Sequence, residues 1–119
     1  MKKTLVIGAS TNPDRYSFLA INRLLHFNHE VCAIGIKPGQ VGSVTIETGQ
    51  PAFSGIDTIT LYLNPERQKA YYQYILSLHP QRIIFNPGTE NDELIALAEK
   101  AKIQCMEACT LVMLSTGQY

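Results

Sequence analysis

The chain has no apolar run of membrane-spanning length. Its Met-Lys-Lys opening is followed by only a handful of apolar residues before Gly8, too few for a signal-peptide core. A cytoplasmic protein is the expectation. Neither sign of charge is in excess: ten Lys and Arg balance ten Asp and Glu, which removes the broad basic face of a nucleic-acid binder and the pull of an anionic membrane. Any steering of a charged ligand has to come from local placement. Cysteine is scarce, three residues without a C-x-x-C pair, so neither a disulfide framework nor a structural metal site is expected. Repeats, low-complexity tracts and linkers are missing as well. A chain of 119 residues, 45% apolar, makes one domain over 1–119, with a proper core and little room for a separate substrate-binding unit.

What is present starts at Lys3-Thr-Leu-Val-Ile-Gly-Ala-Ser10, a short apolar strand running into a small-residue turn and then an amphipathic helix. Open α/β sheets build phosphate sites this way. Gly8 permits a tight turn, while Ala9, Ser10 and the next few residues can offer amide N–H groups and hydroxyls at the positive end of the helix. The dinucleotide fingerprint G-x-G-x-x-G is incomplete, because Ser10 and Pro13 stand where its later glycines would be. Its acidic ribose ligand is missing too: after the second apolar run, Val31 to Ile36, come Lys37 and Pro38. A cation there favours a phosphorylated ribose, as in coenzyme A or NADP, over NAD.

Apolar runs alternate with helical periodicity along the whole chain. Strands are expected at Thr4 to Ile7, Val31 to Ile36, Thr58 to Leu63, Arg82 to Phe85 and Ile103 to Met106. A stripe of Phe18, Ile21, Leu24 and Leu25 marks the first helix, ending near Asn28. Asn64-Pro65 supplies a cap and a first-turn proline for a helix Glu66 to Leu78, with Tyr71, Tyr74, Ile75 and Leu78 on one face. Thr89 or Asn91 caps a helix that packs Leu94, Ile95, Leu97 and Ala98 inward, and a short helix spans Thr110 to Leu114. Pro38 to Ser54 reads as loops, the most mobile part, with Val44 to Ile46 a short edge strand at most. The β-then-α order predicts an α/β fold: a Rossmann-like, doubly wound, mostly parallel sheet with helices on both faces. Ligands of such sheets lie at the carboxyl ends of strands near the switch point. The segments there are Gly8 to Ser10, Gly35 to Pro38, Leu63-Asn64, Asn86 to Gly88 and Glu107 to Cys109.

Four segments carry a resemblance to a known family: Val6-Ile-Gly-Ala-Ser-Thr-Asn-Pro13 with Ser17, the strand end near Lys37, Phe85-Asn-Pro-Gly-Thr-Glu-Asn91, and Met106-Glu-Ala-Cys109. Over essentially its whole length the chain resembles the small single-domain coenzyme A-binding proteins, similar in fold to the coenzyme A-binding domain of the succinyl-CoA synthetase α subunit. The resemblance implies that Gly8, Ala9, Ser10, Thr11 and Asn12, with Tyr16 and Ser17, hold the diphosphate. It places Lys37, with Pro38 beside it, near the 3′-phosphate, and Asn64, Asn86, Pro87 and Gly88 along the adenine or pantetheine path. Two departures stand out. Many members carry Asn-Pro after the second strand where this chain has Gly35-Ile-Lys-Pro-Gly39, and nothing matches the segment that carries the synthetase's phosphorylated histidine.

The remaining reactive residues have plainer readings. His26, His29 and His79 lie at helix ends, where histidine commonly caps or faces solvent. Cys32 and Cys105 fall within strands and read as core. Cys109 sits before the last helix, where a helix dipole favours thiolate and Glu107 opposes it. A small buried side chain is its first reading; a mixed disulfide with the coenzyme's thiol, suggested by cysteine at the matching place in similar proteins, is its second. Tyr71, Tyr72 and Tyr74 read as helix-to-sheet packing, and Asp92-Glu93 as a first helical turn. The expectation is therefore a coenzyme A or acyl-CoA binding module without a catalytic residue. Two alternatives stay open: an NADP or NAD enzyme or sensor, and a nucleotide-binding subunit of a larger or homo-oligomeric assembly, with Pro38 to Ser54 and Leu111-Val-Met-Leu114 as contacts.

Overall fold

A computed structural model describes residues 1–119. Seven strands form one sheet in the order β3-β4-β2-β1-β5-β6-β7. They are β1 Thr4–Ile7, β2 Val31–Ile34, β3 Gly39–Val41, β4 Val44–Glu47, β5 Thr58–Leu61, β6 Arg82–Phe85 and β7 Gln104–Glu107. All neighbours pair in parallel except β3 with β4. The helices are α1 Tyr16–His26, α2 Pro65–Gln68, α3 Tyr72–Ser77, α4 Asp92–Lys100 and α5 Thr110–Ser115. This is the expected Rossmann-like, doubly wound α/β domain.

Alternating side chains divide the sheet between two cores. In β1, Leu5 and Ile7 point to one face, where Ile59, Leu61, Ile83 and Phe85 meet Tyr74 and Ile75 of α3 and Leu94 and Ala98 of α4. Val6 points to the other, with Ala33 and Ile46 against Ile21 and Leu24 of α1 and Leu114 of α5. All four residues of β1, β5 and β6 are buried, as parallel strands covered on both faces require. Cys32 and Cys105 are half-buried against the first core. The winding direction reverses at β1, whose neighbours are β2 on one side and β5 on the other. The switch point therefore opens between the carboxyl ends of β1 and β5.

Besides β5 ending at Leu61 rather than Leu63 and β7 running one residue later than expected, three expectations need correction. The segment Pro38 to Ser54 holds a β3–β4 hairpin whose two-residue turn starts at Gly42, with the positive φ of +58° that such turns favour at the first position. β4 is not the edge: it pairs with β2, and β3 lies outside it. β2 ends two residues early, at Ile34, because Gly35 turns the chain against the first loop; a Cβ there would lie 2.4 Å from the Ala9 carbonyl oxygen. Finally, the helix expected over Glu66 to Leu78 is interrupted by a 3-10 turn at Lys69–Tyr71. The interruption follows Gln68, a fully buried residue whose amide donates to the carbonyls of Leu63 and Thr89, both at 2.8 Å.

Candidate functional site

At the switch point lies a cavity of about 890 Å³, lined by the carboxyl ends of four strands and the start of α1. The loop after β1 forms its floor. Gly8 adopts φ +97° and lies so close to β5 that a Cβ would meet the Tyr62 carbonyl carbon at 3.0 Å, so glycine answers both demands at once. The Gly8 and Ala9 amides both donate to the Ile34 carbonyl at 2.9 Å, which corrects the expectation that Ala9 offers its N–H to a ligand. Beyond them the loop is folded by its own side chains. Ser10 Oγ accepts from the Asn12 amide (3.0 Å), and Asn12 Oδ1 accepts from the Asp14 amide (2.9 Å).

Arg15 caps α1 by its backbone alone, with no side chain on the first-turn amides. The N–H groups of Ser10, Thr11, Tyr16 and Ser17 consequently have no hydrogen-bond partner in the protein. Two of them belong to the first turn of an eleven-residue helix, where partial positive charge gathers. Ser17 is 3% exposed, yet it lines the cavity and its hydroxyl bonds to nothing in the chain.

Around this floor stand three cations. Arg15 just before α1, Lys37 from the turn after β2 and Arg67 from α2 all line the cavity, and none has a carboxylate partner; the ion pairs of the protein are Lys3–Glu30 and Lys69–Glu66. Asp14 is the one acid in the lining. In a chain of zero net charge, the cavity is thus locally positive.

Of the residues singled out in the sequence, Gly8, Ala9, Ser10, Thr11, Tyr16, Ser17, Lys37, Asn64, Pro87 and Gly88 line this one cavity. Asn12, Pro38, Asn86 and Cys109 do not. Asn86 is buried and fully engaged: its amide donates to Thr60 Oγ1 (2.7 Å) and the Leu61 carbonyl (2.9 Å), and its Oδ1 accepts from the Thr110 amide (2.9 Å). It ties β5, β6 and the start of α5 together. Asn64 Oδ1 caps α2 by accepting from the Arg67 amide at 2.9 Å. Cys109 precedes α5 as a half-buried free thiol.

Sequence reasoning missed Asp14, Arg15, Tyr62, Arg67 and Thr89, and it reached Ile36 and Leu63 only as members of the strand-end segments Gly35 to Pro38 and Leu63-Asn64. Arg15 and Arg67 were open to discovery, since one caps and the other lies in the first turn of a helix that follows a strand leaving the sheet at the switch point. Tyr62 shows no such signal. Its hydroxyl is buried without a hydrogen bond, beside the Thr60 and Thr110 hydroxyls that bond each other at 2.8 Å, and burial pushes its pKa up to about 12. Burial likewise pushes the Cys105 thiol up to about 11, which leaves it protonated at neutral pH. His26, His29 and His79 all lie away from the cavity, and no group of three or more His, Cys, Asp or Glu is placed to hold a metal ion. No helix is long and apolar enough to cross a membrane.

The fold defines the class of the protein as a Rossmann-like α/β domain with its cavity at the switch point. A family profile described as a CoA binding domain matches residues 2–115, and the chain belongs to that family. Among solved structures, one described as an uncharacterized protein shares 49% identity over 100% of this chain and 98% of its own, with a TM-score of 0.97. A hypothetical protein from Pyrococcus horikoshii OT3 is 20% identical, covering 97% of this chain and 82% of that one, with a TM-score of 0.87. Cell-free ID.343 from Thermus thermophilus, at 15% identity, covers 99% and 90% with a TM-score of 0.86. The latter two are similar in fold. No curated protein matches at a significant level.

Proposed function

We propose that this protein binds coenzyme A or an acyl-CoA by its diphosphate at the loop between β1 and α1, and that recognition rather than turnover is its activity. One observation carries the reading: four unpartnered amides and three unpaired cations converge on a single cavity at the switch point of a chain that belongs to a coenzyme A-binding family. Unpartnered N–H groups on a helix's first turn suit an anion, and charge-assisted bonds to phosphate are the strong ones. The Ser10 and Ser17 hydroxyls supplement the amides. Lys37, with Arg15 and Arg67, neutralises the remaining phosphate charge, and the 3′-phosphate falls to Lys37. A volume of about 890 Å³ lies within the range of ligand pockets.

Thermal unfolding with added ligand tests the reading, because a ligand selective for the folded state must raise its apparent stability. Coenzyme A is expected to raise Tm at concentrations where NADPH does nothing. Protection by NADPH alone would transfer the site to a nicotinamide cofactor, with Lys37 on its 2′-phosphate. Ser17→Ala combined with Lys37→Ala should weaken coenzyme A binding about 10- to 100-fold, the size of one or two charge-assisted contacts. Unchanged affinity would remove both residues from the site.

A further inference from the structure

The wall of the cavity that carries Arg67 is α2, a helix of four residues, and apolar packing does not hold it in place. None of its residues belongs to either hydrophobic core, and the 3-10 turn after it parts it from the core residues Tyr74 and Ile75 of α3. Gln68 is its one buried residue, with no exposed surface at all. That side chain makes three hydrogen bonds of 2.8 Å each: its Nε2 donates to the Leu63 and Thr89 carbonyls, and its Oε1 accepts from Asn91 Nδ2. Leu63, between β5 and α2, and Thr89, between β6 and α4, both line the cavity. Asn91 fixes which way the amide faces. Its own Oδ1 caps α4 by accepting from the Leu94 amide, which leaves its Nδ2 to donate to Gln68 and to the Tyr72 hydroxyl. A buried amide whose two N–H groups and carbonyl are all engaged holds one orientation, where an apolar side chain tolerates sliding.

We infer that Gln68 is a positioning residue of the site: it pins α2 to the loop between β6 and α4 so that the neighbouring Arg67 guanidinium stands against the ligand's phosphates, a role that rests on the diphosphate reading of the cavity. Gln68 does not itself line the cavity, so it acts only through the wall. Arg67 has no carboxylate partner to hold it, and its place depends on the helix that carries it.

Coenzyme A is titrated calorimetrically into the wild type, Gln68→Met, Arg67→Met and the double variant, with urea unfolding on the same samples. Gln68→Met keeps the length of the side chain and removes all three hydrogen bonds. Each single variant should weaken coenzyme A binding about tenfold, the size of one charge-assisted contact, and the double variant no more than about twofold beyond the weaker single, because Gln68 acts through Arg67. A merely structural Gln68 would lower the unfolding midpoint and leave the affinity of the folded protein unchanged. That result overturns the positioning role, as do full affinity in Arg67→Met and losses that multiply to about a hundredfold in the double variant, while coenzyme A binding by the wild type keeps the diphosphate reading intact. Where Gln68→Met does not fold, Asn91→Asp takes its place. It keeps a side-chain oxygen on the Leu94 amide but puts an acceptor where Asn91 offers Gln68 a donor, so the Gln68 amide must turn over and give up both carbonyls. The same loss of about tenfold, again shared with Arg67→Met, is expected, and affinity within about twofold of the wild type overturns the role. A wild type that binds no coenzyme A overturns the diphosphate reading, and the positioning role with it.

Discussion

Gly8 and Gly35 show at the residue scale how the site is built by leaving atoms out. Gly8 holds φ +97° where a Cβ would lie 3.0 Å from the Tyr62 carbonyl carbon just past β5, and Gly35 lets the Ala9 carbonyl approach where a Cβ would sit. Each absent side chain lets two loops meet. Gly8→Ala should therefore destabilise the protein by about 1–3 kcal/mol, the usual cost of a strained backbone conformation, with further loss where the β5 backbone must move. Chemical denaturation measures it, and an unchanged midpoint would contradict the close approach. The first of these glycines was legible, because a glycine between an apolar strand and a helix has few other meanings. Gly35 was not: its need arises from a carbonyl 26 positions earlier, which no local pattern encodes.

Elements meet at the cavity through buried amides rather than charges. Asn86 joins β5, β6 and the start of α5, and Gln68 joins the ends of β5 and β6 while Asn91 donates to its Oε1 at 2.8 Å. Removing such a side chain strands several buried groups, so Asn86→Ala should cost about 2–4 kcal/mol. Since Asn86 does not line the cavity, the folded variant should keep coenzyme A affinity within threefold in calorimetry. A large loss of affinity with little loss of stability would place it on the ligand instead. Strand identity was readable from apolar runs four to six residues long, and the Asn64-Pro65 and Asn91 caps from their side-chain chemistry. The hairpin was not, since Gly39-Gln-Val and Val44-Thr-Ile-Glu are too short and too polar to announce pairing that depends on β2. Nor was the break at Lys69–Tyr71, which depends on where the Gln68 amide finds its carbonyls.

At the scale of the whole molecule the two ends of the sheet differ. The carboxyl end is open and positive. The opposite end is closed by Tyr119, whose hydroxyl bonds Thr4, whose ring meets His29 edge-on at 4.8 Å, and over which the Arg82 guanidinium lies at 4.5 Å. His29 Nδ1 accepts the Lys2 amide at 3.0 Å, which requires that nitrogen to be unprotonated. Burial, and after it the charges of the N-terminus, Lys2 and Arg82, lower the His29 pKa below its usual 6.5. The unfolded chain therefore takes up the proton first, and stability is full above pH 6.5 and declines as pH falls through the lowered value. Urea unfolding between pH 7.5 and 5 should show this decline in the wild type and a shallower one in His29→Gln. Parallel slopes would remove His29 from that balance.

The central claim is that the unpartnered amides of the first loop and helix receive the coenzyme's diphosphate. Amide chemical shifts of ¹⁵N-labelled protein titrated with coenzyme A test it directly. The account predicts that the largest shifts fall on Ser10, Thr11, Tyr16 and Ser17, and that pantetheine, which has no phosphate, leaves those four unmoved. Saturable binding with the shifts centred elsewhere, or no shift at all, would contradict it.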